Sequence, residues 1–410
     1  MLKIFLRQNI VVLILLNSGN FCNYLFQVVV GRALDPAEYG SLNSLAALLS
    51  VIMAPASVMP VVFAKFTIEL GDTARIRNLI STCMKGMGLI ALVVPVGATL
   101  FTGTAMGYLK LTEPTPYLIM LLNLSVALLL PPMWGVLQGL SRFTYFGVAS
   151  AGAMFIRLAI AFVALRLFGQ GINAALSAWT FGLIFELAIS ALALRDVMRV
   201  PAAPLPAGIF RRMVRFAIPA LASTTMFIFM WNVDIILARL YCSPYDSGLY
   251  ANAAIIGHIA LFLPAALVNV LLPHVAKAHK EGLSGGGALA ASLALCVVLS
   301  GGFCLLCLIW SEEIISLLFG AKFIPAAPIL QLLSPAMALL SLCNVLINFS
   351  MARNRFSFIK VLALGAGLVP ALVYAFHADG RTIALIMLGV SALILAGITL
   401  TLTIEERKQA

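Results

Sequence analysis

Twelve apolar runs, each of about 20 residues or more, occupy most of this 410-residue chain. They cover residues 10–31, 39–62, 79–104, 116–139, 145–168, 174–195, 214–240, 248–275, 287–310, 325–349, 356–376 and 383–403. A helix rising about 1.5 Å per residue needs about 20 residues to cross roughly 30 Å of hydrocarbon. Only 10% of the residues are charged and 62% are hydrophobic, whereas soluble domains carry about 25% charged residues. The sequence therefore predicts an all-α integral membrane protein with twelve transmembrane helices. Lys3 and Arg7 look like the charged start of a signal peptide. The run after them is too long and lacks a small-residue cleavage site, so it reads as a retained first helix.

Six runs lie on each side of residues 196–213, and the two sets share a pattern. Pro36-Ala37-Glu38-Tyr39-Gly40 recurs 208 positions later as Pro244-Tyr245-Asp246-Ser247-Gly248. Asn23 and Gly31-Arg32 precede the first copy, as Asn232 and Ala238-Arg239 precede the second. Each copy opens an apolar run that carries a proline, Pro55 or Pro264, and ends on Ala64-Lys65 or Ala276-Lys277. The expected domains are two six-helix bundles, 1–195 and 214–410, joined by a linker at 196–213. An even number of crossings starts both bundles on the same side, which makes them parallel repeats around a central cavity.

The net charge of +11 follows topology. With the N-terminus inside, 19 of the 26 Lys and Arg residues fall on inner segments, which predicts cytoplasmic termini in a cell membrane. The basic residues then meet anionic membrane lipid, and no nucleic acid partner is expected. The linker carries Pro201, Pro204 and Pro206, then Arg211, Arg212 and Arg215. It reads either as a tether with a basic interfacial stretch or as a plain solvated loop.

The sequence gives no sign of an enzyme. The seven cysteines are scattered, so they suggest neither a disulfide framework nor a metal site. Ser284-Gly285-Gly286-Gly287 lacks the Gly-Lys-Ser/Thr ending of a phosphate loop. The longest outer connection is about 14 residues, which leaves no room for an outer catalytic domain. No catalytic residue, metal or cofactor is predicted. Pro55, Pro60, Pro95, Pro131, Pro132, Pro219, Pro264, Pro335 and Pro370 lie inside the runs, where they kink helices for motion or serve packing alone.

Three charges lie deep in the runs: Arg157, Glu186 and Asp234. Ionisable groups are costly in hydrocarbon and should face water or one another. Arg157 and Glu186 both fall near mid-depth of adjacent helices. They read either as an ion pair or as separate groups, with the Arg157 fork anchoring a phosphate and Glu186 serving ion coupling. Asp234 reads as a site for a coupling proton or cation, or as a local partner of Arg239 or a helix cap. Asn17, Asn20, Asn23 or Tyr24, and Gln27 line one face of the first helix. These amides suit hydrogen bonding to sugar hydroxyls in a cavity, or contacts between helices. Asn344 with Asn348, and Asn252 with His258, repeat the signal more weakly. His274 and His279 read as surface residues.

Residues Val28 to Ser44, containing Gly31-Arg32-Ala33-Leu34-Asp35-Pro36-Ala37-Glu38-Tyr39-Gly40, resemble the end of the first helix in polysaccharide flippases of the multidrug/oligosaccharidyl-lipid/polysaccharide exporter superfamily. Asn232 to Arg239, running to Gly248-Leu249-Tyr250, resembles the second-half counterpart. Leu137-Gln138-Gly139-Leu140-Ser141-Arg142-Phe143 resembles the segment after the fourth helix. The resemblance implies a cavity that opens alternately to either face and a polyprenyl-pyrophosphate-linked oligosaccharide as cargo. It also implies other polysaccharide-assembly proteins as partners, and it carries a phosphate-binding role to Arg157. Two rivals stand beside it. A cation-coupled drug exporter would favour acidic and aromatic cavity walls, and a membrane-embedded glycosyltransferase, polymerase or ligase would need a large outer loop or a carboxylate cluster.

Overall fold

The computed structural model describes residues 2–168, 171–264, 286–353 and 355–407, and among them all regular secondary structure is helical, without strands. Ten stretches, from Pro36–Leu70 to Gly380–Glu405, are long and apolar enough to cross a membrane. They match ten of the twelve expected runs. The first run lies in the 32-residue helix α1, Leu2–Ala33, and the eighth continues past Pro264 outside the described residues. His274, His279 and Ala276-Lys277 also lie outside them. The chain is a multi-pass membrane protein.

Several runs are broken helices, and proline explains where. The second run is α2 (Pro36–Met53), a short 3-10 turn over Ala54–Val58 and α3 (Met59–Leu70). Pro55 and Pro60 each fall within the first two residues of the turn and of α3. There the missing N–H is one that a helix start would leave unpaired anyway. The third run is α4 (Thr73–Thr99), followed by the short α5 (Thr102–Leu109). The fourth splits into α6 (Thr115–Ala127) and α7 (Leu130–Gly139), whose first turn holds Pro131 and Pro132. Next come α8 (Phe143–Phe168), α9 (Gly171–Ala193) and α10 (Arg195–Arg199). The seventh run divides at Trp231-Asn232 into α11 (Ile209–Met230) and α12 (Val233–Tyr241).

After α13 (Pro244–Phe262) the described chain resumes with α14 (Gly286–Cys296), a π-turn over Val297–Gly301 and α15 (Gly302–Ile309). The chain ends with α16 (Ser311–Phe319), α17 (Ala327–Ala352), α18 (Phe358–Ala375) and α19 (Gly380–Arg407). Pro95, Pro219, Pro335 and Pro370 lie within continuous helices.

The repeated motif is a helix start. Asp35 Oδ1 accepts the Glu38 amide at 2.8 Å, and Ser243 Oγ accepts the Asp246 amide at 3.0 Å. In both copies a capping side chain precedes a proline at the first helical position, and an acidic residue follows at the third.

The residues group into two compact units. The first comprises Met1–Leu34 and Leu49–Thr224, the second Asp35–Leu48 and Thr225–Ala410. The start of α2 thus belongs to the second unit and most of α11 to the first. In the first unit a core of Val62, Phe66, Leu79, Val136, Leu194 and Ile209 gathers α3, α4, α7 and α11. Part of the expected tether is anchored there. Asn78 Nδ2 donates to Ala203 O at 2.7 Å, Ala203 N to Ala74 O at 3.1 Å, and Arg77 Nε to Met198 O at 3.3 Å.

Candidate transport site

In the first unit, α1, α8 and α9 hold most of the deep polar residues predicted from sequence. The α8 and α9 backbones come close at Gly182, where a β-carbon would lie 2.7 Å from Ala153 O. That contact sets the antiparallel register. Ser150 faces Glu186 on one level, and Arg157 faces Trp179 two turns further along.

Arg157 is 5% exposed. Its guanidinium carbon lies 3.7 Å from the Phe26 ring centre and 4.3 Å from that of Trp179, so two aromatic faces hold it by cation–π attraction. Nη1 donates to Asn23 Oδ1 at 3.1 Å, while the buried Nε has no acceptor. Asn23 and Phe26 are neighbours on one face of α1.

Glu186 is 4% exposed and accepts from Ser150 Oγ at 2.8 Å. The ion pair considered for Arg157 and Glu186 is not formed. Their levels on α8 are seven residues apart, about 10 Å along a helix, too far for a direct contact. Of the remaining amides on α1, Asn17 and Asn20 are exposed and Gln27 is half-buried.

Sequence reasoning missed three residues of this group. Asn123 is fully buried, donates to Leu176 O at 3.2 Å and accepts from Thr180 Oγ1 at 2.7 Å. An isolated amide in an apolar run was a readable signal. Phe26 and Trp179 gave none, because their role depends on register between helices.

In the second unit, Asp234 lies just after the Trp231-Asn232 break and is fully buried. Asn232 Nδ2 donates to Ile228 O at 2.8 Å across that break. Asp234 Oδ2 accepts from Tyr250 OH at 3.0 Å, and Oδ1 has no donor. The ring of His258 meets that of Trp231 edge-on, with centres 5.1 Å apart. Asn252 is buried with neither amide atom paired, and Asn348 Nδ2 donates to Asn344 Oδ1 at 3.0 Å.

Arg239, 1% exposed, binds both repeated turns. It donates to Ser41 Oγ at 2.6 Å, Ser247 Oγ at 3.0 Å, and the carbonyls of Ala37 and Pro244 at 3.3 Å. Among the described residues no three His, Cys, Asp or Glu side chains stand together as a metal site.

This helical arrangement is shared with solved transporters. An inward-facing multidrug-resistance MATE-family transporter of the MOP superfamily superposes with a TM-score of 0.80 at 10% identity, over 96% of each chain. The fold is that of the MOP superfamily. The lipid II flippase MurJ, in an inward closed conformation, is similarly close, with a TM-score of 0.78 at 11% identity over 96% of this chain and 87% of that one. A MOP-superfamily transporter from Pyrococcus furiosus, with a binding pocket of reversed polarity, gives 0.63 at 12% identity over 96% and 93%. The resemblance to this superfamily seen in the repeated motif therefore holds for the MOP fold. Residues 140–328 also match the model of the polysaccharide biosynthesis protein family. No curated protein matches the sequence.

Proposed function

We propose that this MOP-fold protein is a flippase that carries a polyprenyl-pyrophosphate-linked oligosaccharide from the inner to the outer leaflet of the cell membrane. In this reading two six-helix bundles, 1–195 and 214–410, enclose a cavity that opens to each side in turn, and both termini are cytoplasmic. The observation that carries the proposal is Arg157, which lies with Trp179 in the segment that matches a polysaccharide biosynthesis family and is held between Trp179 and Phe26 of α1.

Each unpaired hydroxyl of a glycan costs a few kcal/mol in hydrocarbon. The amides of Asn17, Asn20, Asn23 and Gln27 would replace water for those hydroxyls, and Arg157 would meet a phosphate. Glu186 and Asp234 are the groups for a coupling proton or sodium ion. No covalent step is required.

The likeness to MATE multidrug transporters favours a second reading, a cation-coupled drug exporter. The deep arginine and the polysaccharide family match weigh against it, because a cationic drug would be repelled by Arg157. The test is reconstitution into vesicles with a labelled lipid-linked oligosaccharide and with a labelled organic cation. Movement of the glycan between leaflets supports the flippase. Movement of the cation with a stationary glycan overturns it.

A further inference from the structure

The start of α11 carries a surface that the proposed transport does not use. Ile209 and Met213 turn into the core of the first unit. On the opposite side Phe210, Arg211, Val214, Arg215 and Ile218 line a groove. Positions 210, 214 and 218 form one stripe and 211 and 215 another, as a helix places residues four apart. Val214 is 59% exposed and Ile218 58% exposed, so an apolar strip runs beside two cations.

Those cations differ from their neighbours. Arg212 is paired with Glu69, and Lys65 lies 3.7 Å from the Phe216 ring centre. Among the described residues Arg211 and Arg215 have neither an acceptor nor a ring. Phe210, Val214 and Ile218 suit an acyl chain, and the two free guanidinium forks suit a phosphate oxyanion beside it. A soluble anion would leave the strip unused, and a neutral lipid would leave the forks unused.

We infer that the first three turns of α11 bind an anionic phospholipid, with its phosphate between Arg211 and Arg215 and an acyl chain along Phe210, Val214 and Ile218. The site holds one lipid at the membrane surface where α11 enters, separate from the cargo path around Arg157.

The test uses the full-length protein in nanodiscs and measures its association with spin-labelled phosphatidylglycerol and phosphatidylcholine. Wild type should prefer phosphatidylglycerol. R211Q/R215Q should lose about fivefold of that preference for each arginine removed. R211K/R215K should keep most of it, and R212Q should keep all of it because that cation is already paired. Inorganic phosphate should not displace the lipid. Equal preference in wild type and R211Q/R215Q would overturn the site. So would an equal loss in R212Q, which would reveal only a diffuse charge effect, or displacement by inorganic phosphate, which would make it a site for a free anion.

Discussion

Gly40 and Gly248, equivalent positions in the two sequence repeats, meet backbone against backbone. A β-carbon on Gly40 would lie 2.8 Å from the Gly248 amide nitrogen, and one on Gly248 would lie 1.7 Å from Pro36 O. The repeated motif therefore marks the place where the two turns touch, as well as where each helix starts. Any side chain at either position must push backbone away from backbone.

Substituting Gly248→Ala should cost on the order of 3 kcal/mol or more, because the clash is with a carbonyl that cannot rotate away. Gly40→Ala should cost less, since its tightest contact is longer. Gly389→Ala, where a β-carbon would meet nothing within 4 Å, should be neutral or gain up to about 1 kcal/mol from helix propensity. Thermal unfolding in detergent would rank the three.

Arg239→Met should destabilise the second unit by roughly 2–4 kcal/mol, because the acceptors around Ser41 and Ser247 lose a charged donor in a buried setting. Arg239→Lys should recover only part of this, since an ammonium cannot span four acceptors as a planar fork does. Comparing melting temperatures of the two variants checks the geometry.

Replacing Arg157 by Gln should lower glycan transport by about 10- to 100-fold, the scale of a lost charged hydrogen bond, while leaving the protein folded. Trp179→Ala should weaken transport less, by freeing the guanidinium to move. Initial transport rates in vesicles decide this, with an unchanged melting temperature as the control.

Asp234→Asn should flatten the pH or sodium dependence of transport without abolishing glycan binding, because the amide keeps the Tyr250 contact but cannot carry a proton or a charge. Equal ion dependence in wild type and variant would remove Asp234 from coupling. Tyr250→Phe should alter that dependence in the same assay.

Between the starts of α8 and α10, Arg142 holds Asp196 with two hydrogen bonds, one of 2.6 Å. The hydrogen bonds to that guanidinium lower the Asp196 carboxyl from 3.8 to about 2. A depressed carboxyl stabilises the fold above its ordinary value and loses that contribution as pH falls through the folded one. The melting-temperature gap between wild type and Asp196→Asn should thus be constant above about pH 5 and close towards about pH 2. The gap should be small because Asp196 is mostly exposed.

Much of the fold was legible in the sequence because length and apolarity are local properties. The ten spans required only counting, and the match between Pro36–Gly40 and Pro244–Gly248 picked out two helix starts capped alike. The breaks at Ala54–Val58 and before Leu130 were marked by prolines. The break at Trp231-Asn232 had no such mark and was missed. Within the site, the charges at Arg157, Glu186 and Asp234 stood out against hydrocarbon, but their partners did not. Arg157 and Glu186 looked level because depth was counted from uncertain helix ends. The Gly182 contact with Ala153 fixed the register instead and separated them. Asn23 was visible as a polar residue, whereas Phe26 and Trp179 were indistinguishable from ordinary lipid-facing aromatics until the helices were assembled.

The hydrogen bonds from Ala203 and its neighbours to α4 have a mechanical consequence. Leu205 packs on the same core, so only residues 206–208 are left between that anchored stretch and α11, roughly 10 Å at full extension. The connector is a bracket with a short spring at one end, not a leash. Lengthening it after Leu205 adds slack at little cost, whereas lengthening it between Met198 and Leu205 pulls the bracket off its mount.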